Sequence, residues 1–389
     1  AVVSALAGVT DSLLAQCRRI AGTASDHAVA AVVAGGEQQT SSLLGLHLDR
    51  AGVPARVLMP AAIGLRAAGR PLDADPVATA QLAAAVSPQA DPIDFAAVQE
   101  RLKKLVNTGN LGPFANAYWG HPAYALSPEE NLLVTAHYLS ALEIQVTAAK
   151  MMAILGGKNP HPQSVIVGGV TCGGELTPGR LSAVRDYLSQ TQRFVETVYL
   201  PDLKAVAAKY PDWTMVGGFS NFLACGEFPQ SADELDLFMP RGVITNGDLF
   251  SVQPLDEAHI SEHVAHSWYA GDADLHPLSG QTVPTFTGLN VDDRYSWFKA
   301  PRYDGAAMEV GCLSRVLVGY GMGKPEFVDA VQAFLADTGL NEADLLSTLG
   351  RTAARAIETE MIGNAMFAWL DELEGNLAAG DKEIYTAYE

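Results

Sequence analysis

The chain has 389 residues, 48% of them hydrophobic, and a formal net charge of -19 at pH 7. That much apolar material can bury a large core in two or three domains without disulfide or metal staples. The acidity argues against a broad nucleic-acid surface, which needs clustered Lys and Arg, and with no uninterrupted run of about 18 apolar residues and no signal core the sequence reads as soluble.

Residues 1 to about 58 alternate strand and helix signals. "AVVSAL" and "ARVLM" predict strands. "GVTDSLLAQCRRIAG", opened by Thr10 or Asp11, and "GGEQQTSSLLGLHLDRAG", closed by Gly52, predict helices, so this stretch has the pattern of an open α/β sheet. From about 59 to 95 the text is rich in Ala, Pro, Gly and Asp, and "RAAGRPLDADP" is its most linker-like part.

Long helices dominate after residue 95. "SPEENLLVTAHYLSALEIQVTAAKMMAILGG" predicts a helix that opens on a capping box, Ser127 with Glu130, and closes at Gly156. "TPGRLSAVRDYLSQTQRFVETVYLPDLKAVAAKYP" starts at Thr177 and Pro178, with a kink expected at Pro201. Residues 212 to 305 are irregular and rich in Gly, Pro and aromatics, and Asn341 to Gly380 predict a third long helix. The fold class is mostly α: a large helical body with short β excursions, preceded by a small α/β fragment. There is no internal repeat.

The four cysteines, Cys17, Cys172, Cys225 and Cys312, lie far apart and form no CxxC. His259, His263 and His266 stand at i, i+4 and i+7, a spacing able to bind metal, but the expected reading is a solvated helix face. "GYGMGKP" is one residue short of a phosphate loop and has Pro325 where Ser or Thr is required, and "GGVTCGGE" reads as a turn. In "GGKNPHPQSVIVGGV", Pro160 and Pro162 fix the backbone around His161. Glu309, in "AMEVG", is acidic inside an apolar run and needs a partner if buried. Lys299 and Arg302 face either another subunit or a carboxylate of their own chain, while Tyr118, Trp119 and His121 read as packing residues.

Five ordered segments resemble the large subunit of nickel-iron hydrogenases. They are "RLKKLVNTGNLGPFANAYWGHPAYALSPEENLLVTAHYLSALE", "GGKNPHPQSVIVGGV", "HSWY", "YSWFKAPRYDGAAMEVG" and "STLGRTAARAIET". The resemblance covers about 73 to 389 and departs at Cys312, where the family carries proline. It implies the catalytic subunit of an uptake hydrogenase, which oxidises or produces dihydrogen and exchanges electrons with an iron-sulfur small subunit. That complex is expected at the periplasmic face of the cytoplasmic membrane, exported and attached through its partners, with the cytoplasm as the alternative. The resemblance places His161 near the electron path toward the small subunit, with a core histidine beside a tight turn as the other reading. It makes Glu309 a candidate for holding water near a magnesium ion or relaying protons, with an ion pair to Arg302 or Arg315 as the other reading.

In the full-length family two CxxC pairs hold a nickel-iron centre, and an acidic residue and a histidine hold the magnesium. Neither pair occurs here, so no metal is expected on this chain as written, and inactivity follows. The opening segment resembles the amino-acid kinase domain of aspartate kinases. That resemblance makes Ser4, Thr10 and Glu37 substrate contacts, although the strand that handles ATP phosphates is absent. The expected organisation is therefore a kinase-like fragment and linker at 1–72 joined to a hydrogenase region at 73–389. We expect a chimera or misjoined sequence cut at both ends rather than a natural fusion, with a kinase fragment or a non-catalytic scaffold as alternative functions.

Overall fold

Short polar caps decide where the first helices begin. The computed structural model describes residues 70–109, 124–231, 236–272, 274–381 and 383–385, and the chain divides into two compact units between Ser140 and Ala141. In the first, Asp75 caps α1 (Pro76–Val86) by accepting from the Val77 amide, and Asp94 caps α2 (Phe95–Thr108) through the Ala97 amide. Phe95, Leu132, Leu133 and Ala136 are buried together with Ala74. The buried Gln99 amide fastens the incoming chain by donating to the carbonyls of Pro71, Leu72 and Ala74 at 3.2, 3.2 and 2.7 Å.

The capping box is formed as the sequence predicts. Ser127 N donates to Glu130 Oε2 at 2.8 Å and Glu130 N to Ser127 Oγ at 3.1 Å, opening α3 (Pro128–Gly156). This helix is long and apolar enough to cross a membrane by length and composition alone. Its apolar residues are interrupted repeatedly, by Asn131, Thr135, His137, Ser140, Glu143 and Lys150 among others, so it contains no uninterrupted apolar run of that length. Tyr138, Leu142 and Val146 on it are exposed.

The second unit is built on helices α4 (Pro178–Phe194), α5 (Leu200–Ala207), α6 (Cys312–Gly321), α7 (Pro325–Thr338) and α8 (Thr348–Ala378). Thr177 caps α4 with Pro178 in its first turn, as expected. At Pro201 the helical path is not broken. A π turn, Val195–Tyr199, takes up the proline just upstream, where its ring would otherwise press on the Thr197 carbonyl four residues back. Phe222, Met239, Ile244, Leu317, Phe327, Val331 and Ile357 are fully or nearly fully buried in one cluster joining α6, α7 and α8 to the strands. The third predicted helix begins later than Asn341: a 3-10 turn, Glu342–Leu345, with its own capping box at Asn341 comes first, and Ser347 then caps α8.

Residues 212 to 305 are as irregular as their composition predicts. Their strands pair in antiparallel twos: β3 (Phe222–Ala224) with β6 (Gly242–Ile244), β4 (Glu227–Pro229) with β5 (Leu237–Met239), and β7 (Ile260–His263) with β8 (Ala300–Tyr303); upstream, β1 (Val165–Ile166) pairs with β2 (Gly169–Val170). One expectation fails here. His259, His263 and His266 do not share a helical face: they lie in a 3-10 turn, in β7 and in the following loop. Their partners differ accordingly, being Asp304, Asp274 and the Asp293 carbonyl. The pairing that overrides the helical spacing is non-local, with Ile260 opposite Tyr303 and His263 opposite Ala300.

Candidate functional site

Glu309 is held where three segments cross. Its amide donates to the Asn221 carbonyl at 2.8 Å, and its carbonyl accepts from Leu223 N at 2.9 Å and Ser314 Oγ at 2.6 Å. Two residues on, Gly311 at φ 108° turns the chain into α6, a backbone angle that favours glycine. The carboxylate is 15% exposed and forms a two-pronged pair with Arg351, Nε to Oε1 at 2.6 Å and Nη2 to Oε2 at 2.7 Å. Such fork-on-carboxylate geometry is the strong form of an ion pair.

Arg351 is aimed by the first turn of α8. Ser347 caps the helix through the Gly350 amide at 3.0 Å, and Thr348 N donates to the Val216 carbonyl at 2.9 Å. Gly217, at φ 71°, lies against both side chains: a Cβ there would stand 2.5 Å from Thr348 Oγ1 and 3.0 Å from Arg351 Nη1. The sequence reading expected Arg302 or Arg315 as the partner of Glu309, and both are engaged elsewhere. Arg302 donates to the Pro301 carbonyl. Arg315 forks onto the buried Glu358, with Glu227 at 3.3 Å, and the Glu358 hydrogen bonds hold its proton more firmly than usual. Beside this cluster, burial pushes the Cys312 thiol up, with Glu358 adding to the effect. Lys299 pairs with Glu262 of its own chain at 2.6 Å.

His161 sits in the opposite kind of place. It follows the cis Asn159–Pro160 bond, adopts φ 61°, and is exposed. The reading of a satisfied core histidine is therefore corrected: among the described residues its ring makes no hydrogen bond. The Gln163 amide closes the loop onto the Gly156 carbonyl at 2.7 Å, and the hairpin beyond leaves Val165 and Val167 exposed at 69% and 75%. A cavity of about 440 Å³ lies beside this loop, lined by Gln163, Ser164, Thr171 and Cys172 with the Glu175–Arg180 ion pair. His161 and Glu309 are not brought into contact.

Cys172, Cys225 and Cys312 are free thiols on separate segments, and among the described residues no group of three His, Cys, Asp or Glu is able to hold a metal. Ser4, Thr10, Glu37, Tyr118, Trp119 and His121 lie outside the described residues. Arg351 was not singled out from the sequence, although it stands in the quoted "STLGRTAARAIET". The available signal was the spacing of Arg351, Arg355 and Glu358 at i, i+4 and i+7, which puts charge on one face of an Ala-rich helix.

The mostly helical body with short paired strands is similar to solved hydrogenases. Solved relatives include the Ni-Fe-Se hydrogenase of Desulfovibrio vulgaris Hildenborough, at 33% identity and a TM-score of 0.57 over 64% of this chain and 52% of that one. The nickel-dependent hydrogenase model matches residues 69–389, and the chain belongs to that family. Among curated relatives, the uptake hydrogenase large subunit of Bradyrhizobium diazoefficiens is 44% identical over 345 residues, covering 80% of this chain and 58% of the relative. The quinone-reactive Ni/Fe-hydrogenase large chain of Wolinella succinogenes is 39% identical, covering 82% and 59%. The chain thus spans somewhat less than three fifths of these relatives' length.

Proposed function

We propose that this chain is the body of a nickel-iron uptake hydrogenase large subunit, which oxidises dihydrogen and passes electrons to an iron-sulfur small subunit. The observation that carries the reading is the 44% identity to uptake hydrogenase large subunits across 345 residues. When bound, a soft thiolate-held metal centre would supply the splitting of dihydrogen into hydride and proton. This chain's own residues do the surrounding work. Glu309, fixed by Arg351, would hold water or relay a proton near a magnesium ion when one is bound. His161, exposed on a rigid loop, faces the small subunit and tunes charge along the electron path. Membrane association at the periplasmic face comes through the partners.

No CxxC occurs in these 389 residues, and the proposal assigns the thiolate ligands to segments outside them, with the chain alone expected to be inactive. The test is dihydrogen-dependent dye reduction by the chain co-produced with an iron-sulfur small subunit, with and without a segment supplying both CxxC pairs. Activity is expected only with that segment, reduced by Glu309→Gln. Activity unchanged by Glu309→Gln would remove Glu309 from the proton path.

A second reading concerns residues 1–72 alone. The family match begins at residue 69 and leaves the preceding segment outside it; the aspartate-kinase-like reading of that segment rests on its sequence resemblance alone. A tryptic peptide running from Ala67 to Arg101 in the source material is expected if the junction is real. ATP-dependent phosphorylation of aspartate, lost on Glu37→Ala, would show that the segment is functional, and its absence would leave it a fragment.

A further inference from the structure

The turn that leads into Glu309 is tied down at one point by a histidine placed between two carboxylates. Tyr303 and Ala306 exchange backbone hydrogen bonds at 3.0 and 2.9 Å, and the Asp304 amide donates to the His259 carbonyl at 3.1 Å. Within the turn Asp304 is held at φ 48°, a left-handed conformation that an L side chain adopts only at a cost. His259 Nδ1 lies 2.9 Å from Asp304 Oδ1, and its Nε2 lies 3.6 Å from Asp256 Oδ2, too long for a hydrogen bond but within ion-pair reach. The ring tilts over Tyr303 with centroids 5.7 Å apart, and the Tyr303 hydroxyl accepts from the Asp256 amide at 3.2 Å.

Only the imidazolium satisfies both carboxylates. A neutral ring has one N–H, so if it donates to Asp304 its other nitrogen turns a lone pair toward Asp256. We propose that His259 is a pH-sensitive latch which, while protonated, fastens the Tyr303–Ala306 turn to the base of β7, and which loosens that turn when it loses its proton. The groups facing the ring are Asp256, Asp304 and the Tyr303 phenol. Neighbouring charges are occupied elsewhere: Glu257 pairs with Arg241, its carbonyl meets the His276 ring, and Arg302 donates to Pro301. The hydrogen bond and charge of Asp304, with Asp256 adding, raise the proton affinity of His259 above its ordinary value. A raised folded-state value means that the latch is fully closed below the ordinary histidine range, about pH 6.5, and opens as pH climbs through the raised value. Glu309 lies five residues beyond Asp304, and the latch stands whether or not the hydrogenase reading holds.

Hydrogen exchange on the 389-residue chain tests this between about pH 5.5 and 8.5, with intrinsic rates corrected. Protection of the Asp304 and Ala306 amides is expected to fall roughly two- to fivefold as pH rises in the native chain, the size of effect that an exposed pair exerts. In His259→Gln it should be low and flat. Asp304→Asn keeps a residue type that tolerates the left-handed turn, and should move the fall to lower pH. If His259→Gln does not fold, NMR titration of the imidazole in the native and Asp304→Asn chains decides. Protection independent of pH in the native chain would overturn the proposal, as would a His259 midpoint that Asp304→Asn leaves in place.

Discussion

Glu309 and His161 are held in opposite ways. Glu309 is tied by its main chain to β3 and α6, and by both carboxylate oxygens to a guanidinium that the α8 cap has aimed. His161 is held by backbone alone, between two prolines and after a cis bond, with its ring in solvent. A mostly buried charge needs an ionic partner and hydrogen bonds to survive desolvation. An exposed imidazole needs only a fixed direction. The Glu309 region therefore carries stability as well as any chemistry, whereas the His161 loop is free to serve a surface.

That contrast is broken most severely in the core that positions Arg351. Phe327→Ala, at a fully buried ring, is expected to cost about 3–5 kcal/mol in denaturant unfolding. Glu358→Ala, which strands Arg315 with only the more distant Glu227, should cost about 3 kcal/mol by the same measurement. Glu309→Gln keeps the shape but removes the charge opposite Arg351, and an expected loss of about 1–2 kcal/mol distinguishes a clamped carboxylate from a surface one. Glu360→Gln should act the other way. Burial and the nearby Glu196 raise the Glu360 carboxyl above its ordinary value, so its ionised form opposes folding. That penalty is absent below the ordinary carboxyl value, about 4.3, and grows as pH rises through the raised one. Glu360→Gln is expected to raise the melting temperature near neutral pH and to leave it unchanged in acid, as thermal melts at two pH values would read. His161→Ala should change stability by less than about 0.5 kcal/mol, so any loss of partner binding in that variant reports the surface itself.

Local signals are legible in the sequence. The Ser127–Glu130 capping box, the Thr177–Pro178 start and the Gly156 end each depend on residues within a turn of one another, and each is where the pattern predicts. Pairings across the chain were not legible. Arg351 meets Glu309 across 42 residues, and β7 meets β8 across nearly as many; a spacing rule applied to His259, His263 and His266 saw only the helix that they do not form. The π turn before Pro201 shows the same limit, because a proline states that the ladder must change but not how the helix absorbs it. An acid inside an apolar run calls for a partner, and only the fold shows that Arg351 supplies it to Glu309.

The most direct test of the large-subunit reading is native mass spectrometry of the 389-residue chain co-produced with an iron-sulfur hydrogenase small subunit. A complex containing one copy of each, weakened by His161→Ala while that variant melts like the native chain, is the expected result. A chain that stays folded and never binds the small subunit would contradict it.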